Sequence, residues 1–191
     1  MLRLPIRTGE TVYVPAGTIH SFGPDILIFE VQQTSDLGAN VMPNDLYNNP
    51  CPEETWEVNI RNTLSELRTH YQPRPHPGQP LEESVNRRVV GAAGPHFSLE
   101  RAHVVPAHPE RCTTLTNARD PVLLDDQGGE EILGRAESCI LPAALGEVRV
   151  VPSGAGDLIT CYLPDLECDV IAPLQAAGHN DGAIRELGEV C

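Results

Sequence analysis

Residues 9–20 read GETVYVPAGTIH and fit the pattern G-x5-P-x-G-x2-H. Each fixed position has a physical job. Gly17 permits a tight backbone turn, Pro15 fixes the entry to it, and the turn delivers His20 from the end of a rigid strand. An imidazole held in this way suits metal ligation. Glu30 and Gln32 come next in DILIFEVQQ, residues 25–33, on one side of the next strand, where they are candidates to line a substrate pocket.

Strands, a loop and a helix must hold these residues in place. Short strands are expected at 3–7 and 10–15, with Val12 and Val14 on one face and Thr11 and Tyr13 on the other. In 25–33, Leu27, Phe29 and Val31 share one face, while Ile26, Ile28, Glu30 and Gln32 share the other. A face that changes from apolar to polar along its length suits a barrel interior with a polar mouth. Residues 35–51 are rich in Asn, Pro, Asp and Gly and read as a long loop. Pro52, Glu53 and Glu54 then open a helix, with proline in its first turn and acid at the positive end of its dipole. Trp56, Ile60, Leu64, Leu67 and Tyr71 make one apolar helical stripe, expected to pack.

Pro73, Pro75, Pro77 and Pro80 stop that helix and form a stiff connector to about residue 86. Strand-like runs then recur at 97–105, 112–117, 121–125, 131–133, 137–142, 147–152 and 157–163, the even spacing of a sandwich or barrel. The tail around DVIAPLQAAG and NDGAIRELG turns helical, with Gly178 as a stop and Asn180 as an N-cap. Laid without a gap on GETVYVPAGTIH, the segment AESCILPAALGE at 136–147 keeps the Glu and the Pro-Ala. The two read as equivalent corners of related barrels, with Glu147 standing where His20 stands in the first.

Composition narrows the chemistry. The 191 residues carry a formal charge of −14, and all 13 basic residues are arginine. Schiff-base chemistry, a P-loop lysine and a polybasic tract are therefore excluded. An acidic chain without a basic cluster is a poor partner for nucleic acid or an anionic membrane. The opening MLRLPIRTGE lacks a signal peptide's apolar stretch, and no run reaches the ~18 apolar residues of a membrane span, so a cytoplasmic protein is expected. The six cysteines show no C-x-x-C pairing and read as reduced thiols, with Cys139 and Cys161 as small core residues. His70, His76, His96, His103 and His108 form no H-x-H pair and read as surface or capping residues.

The 9–20 pattern resembles the second sequence motif of the cupin superfamily, in which the histidine is commonly a metal ligand. The longer stretch VPAGTIHSFGPDILIFEVQQTSDL is similar to class I mannose-6-phosphate isomerases, where Pro-Ala-Gly-Thr-x-His leads through a glycine into a strand ending Glu-x-Gln-Gln-x-Ser-Asp. A weaker similarity continues through the helix, and GEEILGRAESCILPAALGEVRV resembles that family's second, metal-free cupin.

The resemblance implies interconversion of mannose 6-phosphate and fructose 6-phosphate through a zinc-assisted enediol, with a sugar phosphate as partner. It implies a zinc held by a Gln-x-His pair, a glutamate and the motif histidine. Of these only His20 maps onto this sequence, and Asn40 stands where the family has an active-site arginine. The fold expected is all-β with helical additions, built from jelly-roll cupin barrels: a partial first cupin and a complete second one. Its parts are 1–50, the end of the first cupin with a loop; 51–86, helix and connector; 87–165, the second cupin; and 166–191, a helical tail. A barrel short of its first strands exposes edges that invite self-association. The alternatives to an isomerase are an inactive bicupin that binds a sugar phosphate or regulates, and a truncated fragment of the enzyme.

Overall fold

The computed structural model describes residues 3–33, 35, 38–45, 47–104, 110–111, 114–117, 122–125, 129–142 and 148–190. The chain forms two compact units, Met1–Tyr13 with Arg74–Cys191, and Val14–Pro73. The N-terminal residues fall in the same unit as the C-terminal barrel.

The larger unit is a sandwich of antiparallel strands: β1 (Gln79–Glu83), β2 (Arg87–Gly94), β3 (Phe97–Val104), β4 (Glu110–Arg111), β5 (Thr114–Asn117), β6 (Val122–Asp125), β7 (Glu130–Leu133), β8 (Ser138–Ile140), β9 (Arg149–Pro152) and β10 (Gly156–Tyr162). One sheet runs β1-β2-β3-β10-β5-β8 and the other β4-β9-β6-β7. Counted from β3, the first sheet holds the first, eighth, third and sixth strands, and the second holds the second, seventh, fourth and fifth. That order is a jelly roll, the architecture of cupins, with β2 and β1 added at one edge. The longest ladder without a register shift joins β3 to β10, from Val104 opposite Gly156 to Ser98 opposite Tyr162.

Two apolar clusters fill this unit. Val104, Leu124, Leu133, Val148, Val150 and Leu158 close the space between the sheets, with Cys139 packed against them as expected of a small core residue. Val90 and Ala93 of β2 meet Val170, Leu174, Ile184, Leu187 and Val190 of the tail. The tail runs from a π-helical turn, Leu166–Ile171, into α2 (Ala172–Ala176) and α3 (Asp181–Arg185). Gly178, at φ +94°, ends α2, and the Asn180 side chain accepts from the Ala183 N–H at 3.0 Å to start α3. Both were legible as stop and cap. Ala93 N–H donating to the Leu187 carbonyl at 3.1 Å ties the tail's end to the sheet.

The edge strand β1 lies where a connector was expected, and β2 lies in the expected second cupin ahead of its first strand-like run. Pro80 argues against a strand, but β1 is an edge with a bulge after Pro80, where proline is tolerated. In β2, RRVVGAAG lacks the alternation of a half-buried strand, because its second half is buried throughout.

Residues 3–15 and 25–33 form no strand among the described residues. A strand persists through its ladder of inter-strand hydrogen bonds, and these segments have none beyond an isolated bridge of Thr11 to His76, whose two N–H···O bonds measure 2.9 and 3.1 Å. Tyr13 nonetheless has a firm seat. It is buried, 5.9 Å from Phe97 between ring centroids, and donates to the Glu189 carboxylate at 3.0 Å. Its ring lies so close to Gly94 and Gly188 that a Cβ at either would sit 2.4 Å from its hydroxyl or 2.7 Å from its ring. Glycine at both places is what admits it.

In the smaller unit, α1 (Glu53–Glu66) starts from Pro52, which takes the N-cap position and not the first helical turn. It ends before Leu67 and Tyr71, which therefore lie outside the helix that the stripe was expected to span. Among the described residues of 14–73, only Pro15 is buried. No helix among the described residues is long and apolar enough to cross a membrane.

Replacing Tyr13 by alanine removes the ring from this seat and is expected to destabilise the larger unit by about 3–5 kcal/mol. Tyr13→Phe loses only the charge-assisted hydrogen bond, about 1.5–3 kcal/mol. Urea unfolding followed by circular dichroism ranks the two variants.

Candidate functional site

The opening turn of the His20 motif has a structural twin. At Arg7–Glu10 the Glu10 N–H donates to the Arg7 carbonyl at 3.1 Å, and the Glu10 carboxylate accepts from the Arg7 N–H at 2.8 Å. At Gly134–Glu137 the same pair recurs, at 3.2 and 2.6 Å. The third residue is left-handed in both, Gly9 at φ +85° and Ala136 at φ +63°. The glutamate shared by the two corners is thus retained for a reason: it closes the turn from both sides, against the roughly 1–2 kcal/mol that a left-handed alanine costs. Glu147 and the rest of the second corner lie outside the described residues.

The first corner itself is built as its residues require. Pro15 accepts from the Thr18 N–H at 3.3 Å, Gly17 sits at φ +80°, and its carbonyl accepts from the Arg68 N–H at 2.9 Å beyond the end of α1. A Cβ on Gly17 would lie 2.2 Å from the Glu66 carbonyl oxygen, so both the backbone conformation and the close approach demand glycine.

His20, at the end of the corner, is exposed. Its Nδ1 lies 2.9 Å from the Thr18 carbonyl, which can only accept, so Nδ1 carries a proton and, in the neutral ring, Nε2 keeps the lone pair. The ring meets Phe22 edge-on, centroids 6.1 Å apart. This is the tautomer of a metal ligand, oriented by its own loop. Glu30 and Gln32 are exposed on the unpaired segment beyond it. Among the described residues no three His, Cys, Asp or Glu side chains gather into a group that could hold a metal. Zinc takes three or four protein ligands, so the donors described here do not fit it.

Other titratable groups in the larger unit are accounted for locally. Cys161 is half-buried, and burial pushes its thiol up to about 11, too high for a nucleophile at neutral pH. His103, at the exposed end of β3, pairs with Asp157 across the ladder at 2.7 Å. His108 lies outside the described residues. His76 departs from the surface role expected of it: it is 8% exposed, and its Nδ1 accepts from the Gly78 N–H at 3.2 Å. Burial, with the Arg101 charge, holds its pKa below the ordinary value against the pull of Glu186 and Glu10.

One buried polar cluster carried no signal in the sequence. Glu100 of β3 is 3% exposed, and its two oxygens are taken by the Arg88 guanidinium and the Tyr162 hydroxyl, each at 2.7 Å. Burial and the neighbouring carboxylate push the Tyr162 phenol upward, which keeps it protonated and donating. The cluster joins β2, β3 and β10. With both oxygens engaged, Glu100 acts as a clamp and not as a free base.

No protein-family model matches the chain. Over 45 residues, 24% of this chain and 14% of the relative, it is 44% identical to the mannose-6-phosphate isomerase of Streptococcus mutans. Part of the chain is thus similar to mannose-6-phosphate isomerases. It is also 26% identical over 97 residues to a probable mannose-6-phosphate isomerase of Bacillus subtilis, covering 51% of this chain and 30% of that one. The crystal structure of a Bacillus subtilis mannose 6-phosphate isomerase aligns with 62% of this chain and 37% of its own, at 12% identity and a TM-score of 0.48. The chain therefore spans less than a third of the length of either curated mannose-6-phosphate isomerase relative.

These geometries give two expected outcomes. Arg88→Met leaves a buried carboxylate with one of its donors gone and is expected to cost about 3 kcal/mol, most of it recovered by adding Glu100→Leu, in a urea double-mutant cycle. For His76 the unfolded state binds the extra proton first, because its pKa is the higher of the two. Stability is therefore expected to fall as pH drops below the ordinary histidine value of 6.5, more steeply in the wild type than in His76→Phe, as urea midpoints taken from pH 7.5 to 5 would show.

Proposed function

We propose that residues 1–191 are part of a mannose-6-phosphate isomerase, whose activity is the aldose–ketose interconversion of mannose 6-phosphate and fructose 6-phosphate. The observation that carries this reading is the 44% identity to a named isomerase over 45 residues. The presentation of His20 supports it: the corner fixes the ring in the tautomer with Nε2 open. Zinc is the metal of this proposal, and its other ligands would come from polypeptide outside these residues, since the described donors do not form a site. A phosphorylated hexose is charged and does not cross membranes unaided, which makes the cytoplasm the proposed setting.

A second reading has an observation of its own. Asn40, which stands where the isomerase resemblance has an arginine, is spent on its own loop. Its Oδ1 accepts from the Met42 N–H at 2.9 Å, and its Nδ2 donates to the Asn44 carbonyl at 3.3 Å. A neutral amide held in this way offers a substrate no fixed cation. That favours a cupin that binds a sugar phosphate without turning it over.

A chimaera separates the two. The part of the Streptococcus mutans isomerase that precedes the region of similarity is joined to this chain, and coupled turnover of mannose 6-phosphate is measured with and without a chelator. The isomerase reading expects chelator-sensitive turnover that falls at least about 100-fold in His20→Ala. A soluble, metal-loaded chimaera that binds mannose 6-phosphate without converting it would establish the second reading instead.

A further inference from the structure

Among the described residues His76 is the only buried histidine, and its ring makes a hydrogen bond that the charged form cannot keep. Nδ1 accepts from the Gly78 N–H, so in the neutral ring the proton sits on Nε2, which is buried without a partner. A second proton can therefore enter only at Nδ1. There it meets another N–H donor, and the hydrogen bond is lost. Gly78 has little room to give way: it is left-handed at φ +84°, and a Cβ on it would lie 2.5 Å from the Val90 carbonyl oxygen. It is the ring that has to move.

The main chain of the same residue ties on the N-terminal segment. The His76 carbonyl accepts from the Thr11 N–H at 2.9 Å and its N–H donates to the Thr11 carbonyl at 3.1 Å, in an isolated bridge with no ladder to reinforce it. Charged groups act on the ring from three elements. Burial and Arg101 of β3 oppose the charged ring, and they prevail over Glu186 at the end of α3 and Glu10 of the N-terminal segment. Arg101 donates to the carbonyl of Pro77, the chain neighbour of His76, which keeps its charge close by.

We propose that His76 is a proton-operated latch: neutral, it ties residues 3–12 to the 74–78 segment through the Thr11 bridge, and on taking a proton from solvent at Nδ1 it opens that bridge while Tyr13 keeps its seat. Tyr13 is seated by Phe97, Glu189, Gly94 and Gly188, a set that does not include His76. The closed form binds the extra proton more weakly than the open one, so acid favours opening. The released stretch includes the Arg7–Glu10 turn at the head of the His20 motif. Acidification thus loosens the motif at its start and leaves the barrel folded. The latch does not depend on the isomerase reading.

The test is amide exchange in the 191-residue chain, resolved by residue with NMR between pH 7.5 and 5 and corrected for intrinsic rates. The Thr11 and His76 amides are expected to exchange faster than those of β3 and β10 at every pH, and to ignore low concentrations of urea, as an opening that exposes little surface does. Toward acid they are expected to accelerate at least about threefold. His76→Gln keeps an oxygen for the Gly78 N–H and does not titrate, so its exchange is expected to be the same at both ends of the range. The wild type carries a check that needs no variant. Imidazole nitrogen shifts are expected to place the ring's own midpoint below 6.5, and each unit of that displacement to correspond to about tenfold acceleration. The proposal is overturned if Thr11 and His76 exchange only as slowly as β3 and with the same urea dependence, because opening is then unfolding of the whole unit. It is overturned equally by exchange that acid does not accelerate, by acceleration that survives in His76→Gln, or by a ring midpoint at or above 6.5.

Discussion

A β-strand is held in place by the chain beside it, and that requirement decides what each part of this sequence becomes. Between Phe97 and Tyr162 every strand finds at least one paired neighbour, and the jelly roll closes around Val104, Leu124, Val150 and Leu158. At 26–33 the composition is as strand-like as anything in the barrel, yet no neighbour lies alongside among the described residues and the segment stays open. The same rule separates the N-terminal residues from the segment that begins at Val14. Thr11 bridges to His76 and Tyr13 fills a seat between two glycines, so 3–13 belongs to the barrel unit, while the motif they open continues into the other.

The polar interior is a consequence of that closure. Burial makes Glu100 costly unless both its oxygens are engaged, and Arg88 and Tyr162 meet that demand from the flanking strands. His76, the bridge partner of Thr11, keeps its Nε2 unpartnered among the described residues. His20 sits outside any such closure. Its corner is rigid and its tautomer fixed, but the charge and geometry of a metal site need several donors held together.

Much of the barrel was legible because alternation and turn residues carry it: the strands at 97–104, 114–117, 122–125 and 157–162 fall where they were expected, and Gly178 and Asn180 bound the tail helices as their chemistry requires. β1 and β2 were not legible, since Pro80 and the small residues of RRVVGAAG suppress the strand pattern that an edge position and a covering tail permit. Of the candidate site, the turn chemistry of Gly17 and the exposure of a histidine after it could be read locally. The companions of His20 could not, because ligand sets are assembled by tertiary contacts. The Glu100 clamp was hidden for the same reason: a glutamate twelve residues from an arginine gives no sign that it binds both that arginine and the Tyr162 phenol.

Hydrogen–deuterium exchange on the dilute 191-residue chain tests the pairing rule most directly. The amides of β3 and β10 are expected to be protected by several orders of magnitude, while those of 26–33 exchange at close to the unstructured rate. Strong protection of 26–33 in the dilute chain, equal to that of β3, would contradict the claim that this segment lacks a strand partner within the chain.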